Sequence, residues 1–238
     1  MNIKIVHLYP DLLNLYGDNG NISALTYRLS KRGISSNVSE CYRLDKPDFK
    51  DADIVFVGGG SDRELLGVNS NLAPYAKDLK AYIEDGGTLL AVCGGYQLLG
   101  SHFECQGKKV KALELLDIFS TERKERFIGN IVCQSDLIGT SIVGFENHSA
   151  MMNIGSLSPL AKVITGYGND GTSGYEGIVH KNVIATFLHG PLLPKNPALT
   201  DFLLSKAIER KFGKTPLAPL DDEIELLAHN YAVQKFTK

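Results

Sequence analysis

No stretch of this chain is apolar for long enough to cross a bilayer, no two cysteines stand in a C-x-x-C spacing, and no G-x-x-x-x-G-K-[ST] phosphate loop occurs. Each absence removes a class of function. A membrane-spanning helix needs a run of roughly 20 apolar residues, and the opening "MNIKIVHLYP" lacks the apolar core and small-residue cleavage site of a secretory signal. A cytoplasmic protein without membrane insertion is therefore expected. The cysteines, at 41, 93, 105 and 133, are scattered, which argues against a zinc centre, any other metal site or a redox dithiol. A chain of this size with this much apolar content does not need a disulfide framework. Neither sign of charge predominates, with 25 basic and 27 acidic residues and a formal net charge of −2. The short basic runs Lys108-Lys109 and Arg123-Lys124 are interrupted by glutamate or apolar neighbours, so no nucleic-acid partner is expected.

What is present is an ordinary globular composition, 238 residues with 43% hydrophobic and 22% charged, enough for one domain with a sizeable core. Ile3–Leu8 reads as a strand, residues 21–32 as a helix that Gly33 stops, and 35–42 as a second β-like run. "ADIVFVGGG" (52–60) is a nearly continuous apolar strand, the signature of a strand buried on both faces in a parallel sheet. Residues 74–85 have helical spacing, with Ala76, Leu79, Tyr82 and Ile83 on one side and Gly86-Gly87 as the stop. Thr88–Val92 is the next buried strand. This alternation predicts an α/β fold, a doubly wound and mainly parallel sheet flanked by helices. Beyond residue 100 the texture becomes polar loops and short β-like runs such as 126–133, then a glycine-rich stretch at 166–177. A hairpin follows, 178–180 with 183–188 around Lys181-Asn182. Two helices, 197–212 and 221–236, close the chain.

The segment "TLLAVCGGYQLLG" (88–100) carries the chemistry. A strand that runs into Cys93 and then into a helix is the geometry of a nucleophile elbow, with the reactive side chain lifted above the carboxyl edge of the sheet. Gly94 and Gly95 suit the crowded turn, and a helix start beneath the sulfur favours a thiolate. A buried cysteine at a strand end is the plainer alternative, and it is the reading adopted for Cys41 and Cys133; Cys105 falls in a polar loop and is unassigned. Gly58-Gly59-Gly60 ends a neighbouring strand and can aim N–H groups at an oxyanion together with Gly94. His189 follows "VIATFL" and precedes Gly190-Pro191, at another strand end, where an imidazole can serve Cys93 as base.

The set "VGGG" (57–60), "AVCGGYQLLG" (91–100), "GFENH" (144–148) and "FLHGPLLPKNP" (187–197) resembles the class I, triad-type glutamine amidotransferases, and within them the cobyric acid synthase-like branch. "LYPDLLNLYGDNGN" (8–21) narrows the resemblance to the GatD-type subunits of lipid II isoglutaminyl synthase. The resemblance implies residues 1–213 as the amidotransferase domain and 214–238 as a helical extension packed on it or on a partner. It implies that Cys93 attacks the side-chain amide of L-glutamine and that His189 shuttles the proton. Gly59 and Gly94 are expected to furnish the oxyanion hole and Gln97 to touch the glutamine. Asn147 and His148, in an "ENH" turn, are expected near its amino-acid end. Arg126 is the candidate for the substrate carboxylate, which arginine grips with paired bonds; Arg123 competes for the role, and a plain surface arginine is as good a reading of either.

The common class I pattern has an acid two residues after the histidine, whereas Pro191 stands here. Either the dyad works alone or a partner supplies the third member. With no phosphate loop in the chain, no cofactor is expected on it. The resemblance to the GatD type implies a Mur-ligase-like synthetase of the MurT type as partner, with ATP and a divalent cation expected on it. That partner would form a heterodimer with this chain, take its ammonia and amidate the D-glutamate α-carboxylate of lipid II in peptidoglycan synthesis. Competing readings are an amidotransferase for another acceptor such as a corrinoid, a stand-alone cysteine γ-glutamyl hydrolase, and a noncatalytic binding protein that kept the elbow as a relic.

Overall fold

The computed structural model describes residues 1–237. Its first layer is a six-stranded sheet in the order β11-β12-β4-β3-β1-β2, built from β1 (Asn2–Leu8), β2 (Ser35–Cys41), β3 (Ile54–Val57), β4 (Thr88–Val92), β11 (Ile178–His180) and β12 (Val183–Thr186). All neighbours are parallel except the β11–β12 hairpin at the edge. Every residue of β3, β4 and β12 is buried, the reason these strands read as continuous apolar runs. The chain leaves β1 for β2 on one side and returns to β3 on the other. With right-handed crossovers, that reversal sends α1 (Asn19–Ser30) and the pair α2 (Asp62–Leu72) and α3 (Ala76–Glu84) to opposite faces. The carboxyl ends of β1, β3, β4 and β12 then share one edge, where ligands bind in such sheets.

The α2 helix is absent from the sequence reading because Gly67, Ser70 and two asparagines break its apolar face. Its start signal is nonetheless present: Glu64 reaches back to accept the Ser61 N–H at 2.8 Å, the return bond of a capping box. The short α4 (Gly94–Leu98) follows β4 directly.

A second, largely antiparallel sheet occupies much of the region read as loops. Its path is β10-β9-β7-β5-β6, with β8 on β7, from β5 (His102–Cys105), β6 (Lys108–Lys111), β7 (Phe119–Ser135), β8 (Thr140–Asn153), β9 (Ala161–Thr165) and β10 (Tyr175–Glu176). The "ENH" segment is therefore strand β8 and not a turn, and Cys105 ends a strand instead of sitting in a loop. One hydrophobic core runs through both sheets. They meet at the site through an antiparallel bridge: His189 N–H donates to the Phe145 carbonyl at 2.8 Å, and Phe145 N–H returns to the His189 carbonyl at 3.3 Å.

α5 (Pro197–Phe212) and α6 (Glu223–Phe236) close the chain. Arg28, on α1, lies buried between Asp201 of α5 and Asp222 at the entry to α6, each bonded at 2.6 Å. Within α6, His229 bonds the Ser141 hydroxyl at 2.7 Å and the Lys195 carbonyl at 2.8 Å. No helix among the described residues is long and apolar enough to cross a membrane.

Candidate active site

Cys93 has φ 52° and ψ −103°, a left-handed backbone that a non-glycine residue adopts only when its surroundings impose it. The imposing contacts are visible. The Cys93 N–H donates to the Thr186 carbonyl of β12 at 2.8 Å, and the Gly95 N–H donates to the Gly58 carbonyl at 3.1 Å. A Cβ at Gly95 would lie 2.7 Å from the Val57 carbonyl oxygen, so only glycine lets the helix start this close to β3. The strained elbow thus places the sulfur above the edge shared by β3, β4 and β12.

His189 is fully buried beside it. A Cβ on Gly59 would touch both partners, 2.8 Å from His189 Cε1 and 3.0 Å from Cys93 Cβ. The absence of that atom lets nucleophile and base come together. His189 Nδ1 faces Asp18 Oδ1 at 3.7 Å, leaving Nε2 as the nitrogen for the thiol. Asp18 is itself fully buried, its Oδ2 held by the Gly59 N–H at 2.8 Å. Burial alone lowers the basicity of the imidazole, but the Cys93 thiolate and Asp18 outweigh it and push His189 up to about 10. The site thus favours the imidazolium form of His189, a cation held between Asp18 and the Cys93 sulfur.

Asp18 supplies the carboxylate missing at Pro191, and it comes from this chain. It sits at the entry to α1, and that entry is clasped to the segment after His189: Gly20 abuts the Pro191 ring, and Asn21 Oδ1 accepts the Leu193 N–H at 2.8 Å. Searching downstream of the histidine could not find an acid that lies upstream of the nucleophile. The one available signal was the "GDNGN" run inside the stretch 8–21. From the same turn, the Tyr16 ring packs edge-on against the imidazole, with centroids 5.1 Å apart.

The Gly59 N–H, spent on Asp18, does not point at an oxyanion, which corrects the sequence expectation. Gly60 lies close to the elbow, its nitrogen 3.6 Å from where a Cβ on Gly94 would sit.

Cys93, Gln97, Arg126 and His148 line one pocket, joined by Glu104 and Glu122. Arg126 is held by Asn147 through two bonds of 2.7 Å, Nε to the side-chain oxygen and Nη2 to the carbonyl, and Asn147 also bonds the Tyr16 hydroxyl. Arg123 turns away, its guanidinium 4.1 Å above the Phe127 ring. Gln97 accepts the Ser120 hydroxyl at 3.0 Å. His148 is buried, bonds the Ala150 carbonyl at 2.7 Å, and stacks on Phe187 at 3.8 Å. The other cysteines are free and buried; burial pushes Cys41 and Cys105 up to about 11 and Cys133 higher still, which keeps them as inert thiols. Among the described residues, no group of three or more His, Cys, Asp or Glu is arranged to hold a metal ion.

Comparison with known proteins agrees with this geometry. Residues 4–197 match the CobB/CobQ-like glutamine amidotransferase domain. The chain is 42% identical over 234 residues to the lipid II isoglutaminyl synthase (glutamine-hydrolyzing) subunit GatD of Staphylococcus aureus, across 98% of this chain and 96% of that one. It is 35% identical over 225 residues to the subunit of the same name from Streptococcus pneumoniae, across 93% and 86%. A solved glutamine amidotransferase superposes with a TM-score of 0.56 at 18% identity, covering 85% of this chain and 98% of its own, a likeness of fold. An elbow cysteine, a buried histidine at the neighbouring strand end and a sequence matched along most of its length lead to one assignment: this chain belongs to the CobB/CobQ-like glutamine amidotransferase family.

Proposed function

We propose that the chain is the glutamine-hydrolysing subunit of a lipid II isoglutaminyl synthase. The observation that carries the reading is Cys93, held at φ 52° beside the buried His189 and Asp18, in a chain that matches a GatD subunit over nearly its full length. The Cys93 thiolate attacks the side-chain carbonyl carbon of L-glutamine. A C–S bond forms, and the carbonyl π electrons move onto oxygen, where the N–H groups of Gly60 and Gly94 receive them. As the oxyanion collapses, the C–N bond breaks and the His189 proton passes to nitrogen, releasing ammonia and leaving a γ-glutamyl thioester. Water then attacks the thioester and gives a proton to His189. Glutamate departs and the ion pair is restored. Asp18 keeps the imidazole ring oriented throughout and stabilises it whenever it is protonated. Arg126, pre-oriented by Asn147, takes the α-carboxylate of glutamine; Gln97 and His148 form the walls beside it.

On this reading residues 1–213 are the amidotransferase domain and 214–238 an extension anchored through Asp222 and His229. The ammonia goes to a MurT-type, Mur-ligase-like partner, which binds ATP and a divalent cation and amidates the D-glutamate α-carboxylate of lipid II to D-isoglutamine. The test uses glutamine labelled with ¹⁵N in its side chain. Label should reach lipid II when chain, synthetase, ATP and magnesium are combined, and Cys93→Ala should stop both glutamate release and label transfer. Glutamate release by a folded Cys93→Ala protein, or label that never reaches lipid II while free ammonia does, would count against the assignment.

A further inference from the structure

Glu176 is a fully buried carboxylate that the chemistry above leaves unused. One of its oxygens, Oε1, accepts the Thr186 hydroxyl at 2.6 Å and the Phe187 N–H at 2.8 Å. Thr186 Oγ1 in turn accepts the Leu188 N–H at 3.1 Å. These bonds fall where β12 stops following β4, after Thr186 pairs with Val92. On one side of that break, the Thr186 carbonyl holds the Cys93 N–H. On the other, three residues on, stands His189. Phe187 adds a third link, because its ring stacks within 7° of parallel on His148 in the pocket wall.

We propose that Glu176 is the positioning residue of the Cys93–His189 pair: through Thr186 and Phe187 it sets the break in β12 that fixes nucleophile and base against each other. It touches neither substrate nor reacting atom. Burial pushes its carboxyl up to about 7, so what the site draws on is the acceptor oxygen, which an amide retains.

The kinetic arm of the test rests on the glutamine-hydrolysis reading. Glu176→Ala should lower kcat for glutamine by about 10- to 100-fold with KM moved by no more than about threefold, as expected when reacting groups shift without loss of binding. Glu176→Gln should restore kcat to within about threefold of the parent, since its side-chain oxygen can accept the same two bonds. A second arm is independent of substrate: iodoacetamide should alkylate Cys93 at pH 7 several-fold more slowly in Glu176→Ala, because the paired imidazole no longer sustains the thiolate. An inactive parent whose alkylation still follows this order would sink the glutaminase reading and leave the positioning role standing. If Glu176→Ala does not fold, Thr186→Val, which removes one of the two bonds to Glu176 and the acceptor of the Leu188 N–H in a similar volume, should slow kcat and alkylation alike. A folded Glu176→Ala or Thr186→Val protein with both rates unchanged overturns the role. So does a folded Glu176→Gln protein as slow as Glu176→Ala.

Discussion

At the residue scale, Asp18 and His189 make separable claims. Asp18→Asn keeps the bond from the Gly59 N–H but loses the charge that holds the imidazolium, and in serine proteases the equivalent change costs about 10⁴-fold in turnover. A cysteine nucleophile is partly ionised without help, so a smaller loss, about 10²- to 10³-fold in kcat, is expected here; steady-state glutaminase kinetics of Asp18→Asn check it. His189→Ala should be nearly as damaging as Cys93→Ala, and the double variant no slower than either single one, because the two act as a unit. The raised pKa of His189 also links the site to stability. Its folded value of about 10 lies above the ordinary 6.5, so the stability that protonated His189 contributes is complete below pH 6.5 and is lost as the pH rises through about 10. Thermal melting from pH 7 to 10 should therefore fall more steeply for the parent than for His189→Gln. In Cys93→Ala, which lacks the largest influence raising that pKa, the fall should begin at lower pH.

At the element scale, the parallel strands were legible because burial on both faces leaves an unbroken apolar run, as in "ADIVFV" and "TLLAV". The second sheet was legible only in the β-like run 126–133, since the rest of β7 mixes Glu122, Arg123, Lys124 and Glu125 with half-buried positions, and its pairing with β8 shifts register between Glu122 and Phe127. The elbow and His189 were readable from strand ends next to glycine. Asp18 was not, because its partners Gly59 and His189 lie far along the chain; nor was Glu176, because its bonds to Thr186 and Phe187 cross from the second sheet to the end of β12, and no sequence pattern marks that crossing. The α6 anchor yields its own prediction. Arg28 is 5% exposed at its side chain, with Asp201 and Asp222 at 29% and 19%, so Arg28→Ala strips a buried cation from two partly buried carboxylates. The expected cost is about 2–3 kcal/mol, less than for a wholly buried pair because solvent reaches both aspartates. Chemical denaturation measures the loss, and hydrogen exchange should show α6 amides deprotected well before those of β4.

At the scale of the whole molecule, the carboxylate beside His189 belongs to the same chain as Cys93. The isolated chain should then hydrolyse glutamine measurably, with the synthetase acting on the rate through docking and not by lending an acid; comparing turnover of the free chain and the complex decides this. The three residues of the site arrive from widely separated parts of the polypeptide: Asp18 after the first strand, Cys93 after β4, His189 after β12, which is the last strand to join the parallel sheet. A chain emerging from the ribosome therefore carries an exposed but unpaired thiol until β12 has slotted beside β4. Hydrolysis can switch on only once β12 and His189 have been made and have joined the sheet, and fragments that stop ahead of residue 183 carry the thiol without its base and cannot drain the cell's glutamine.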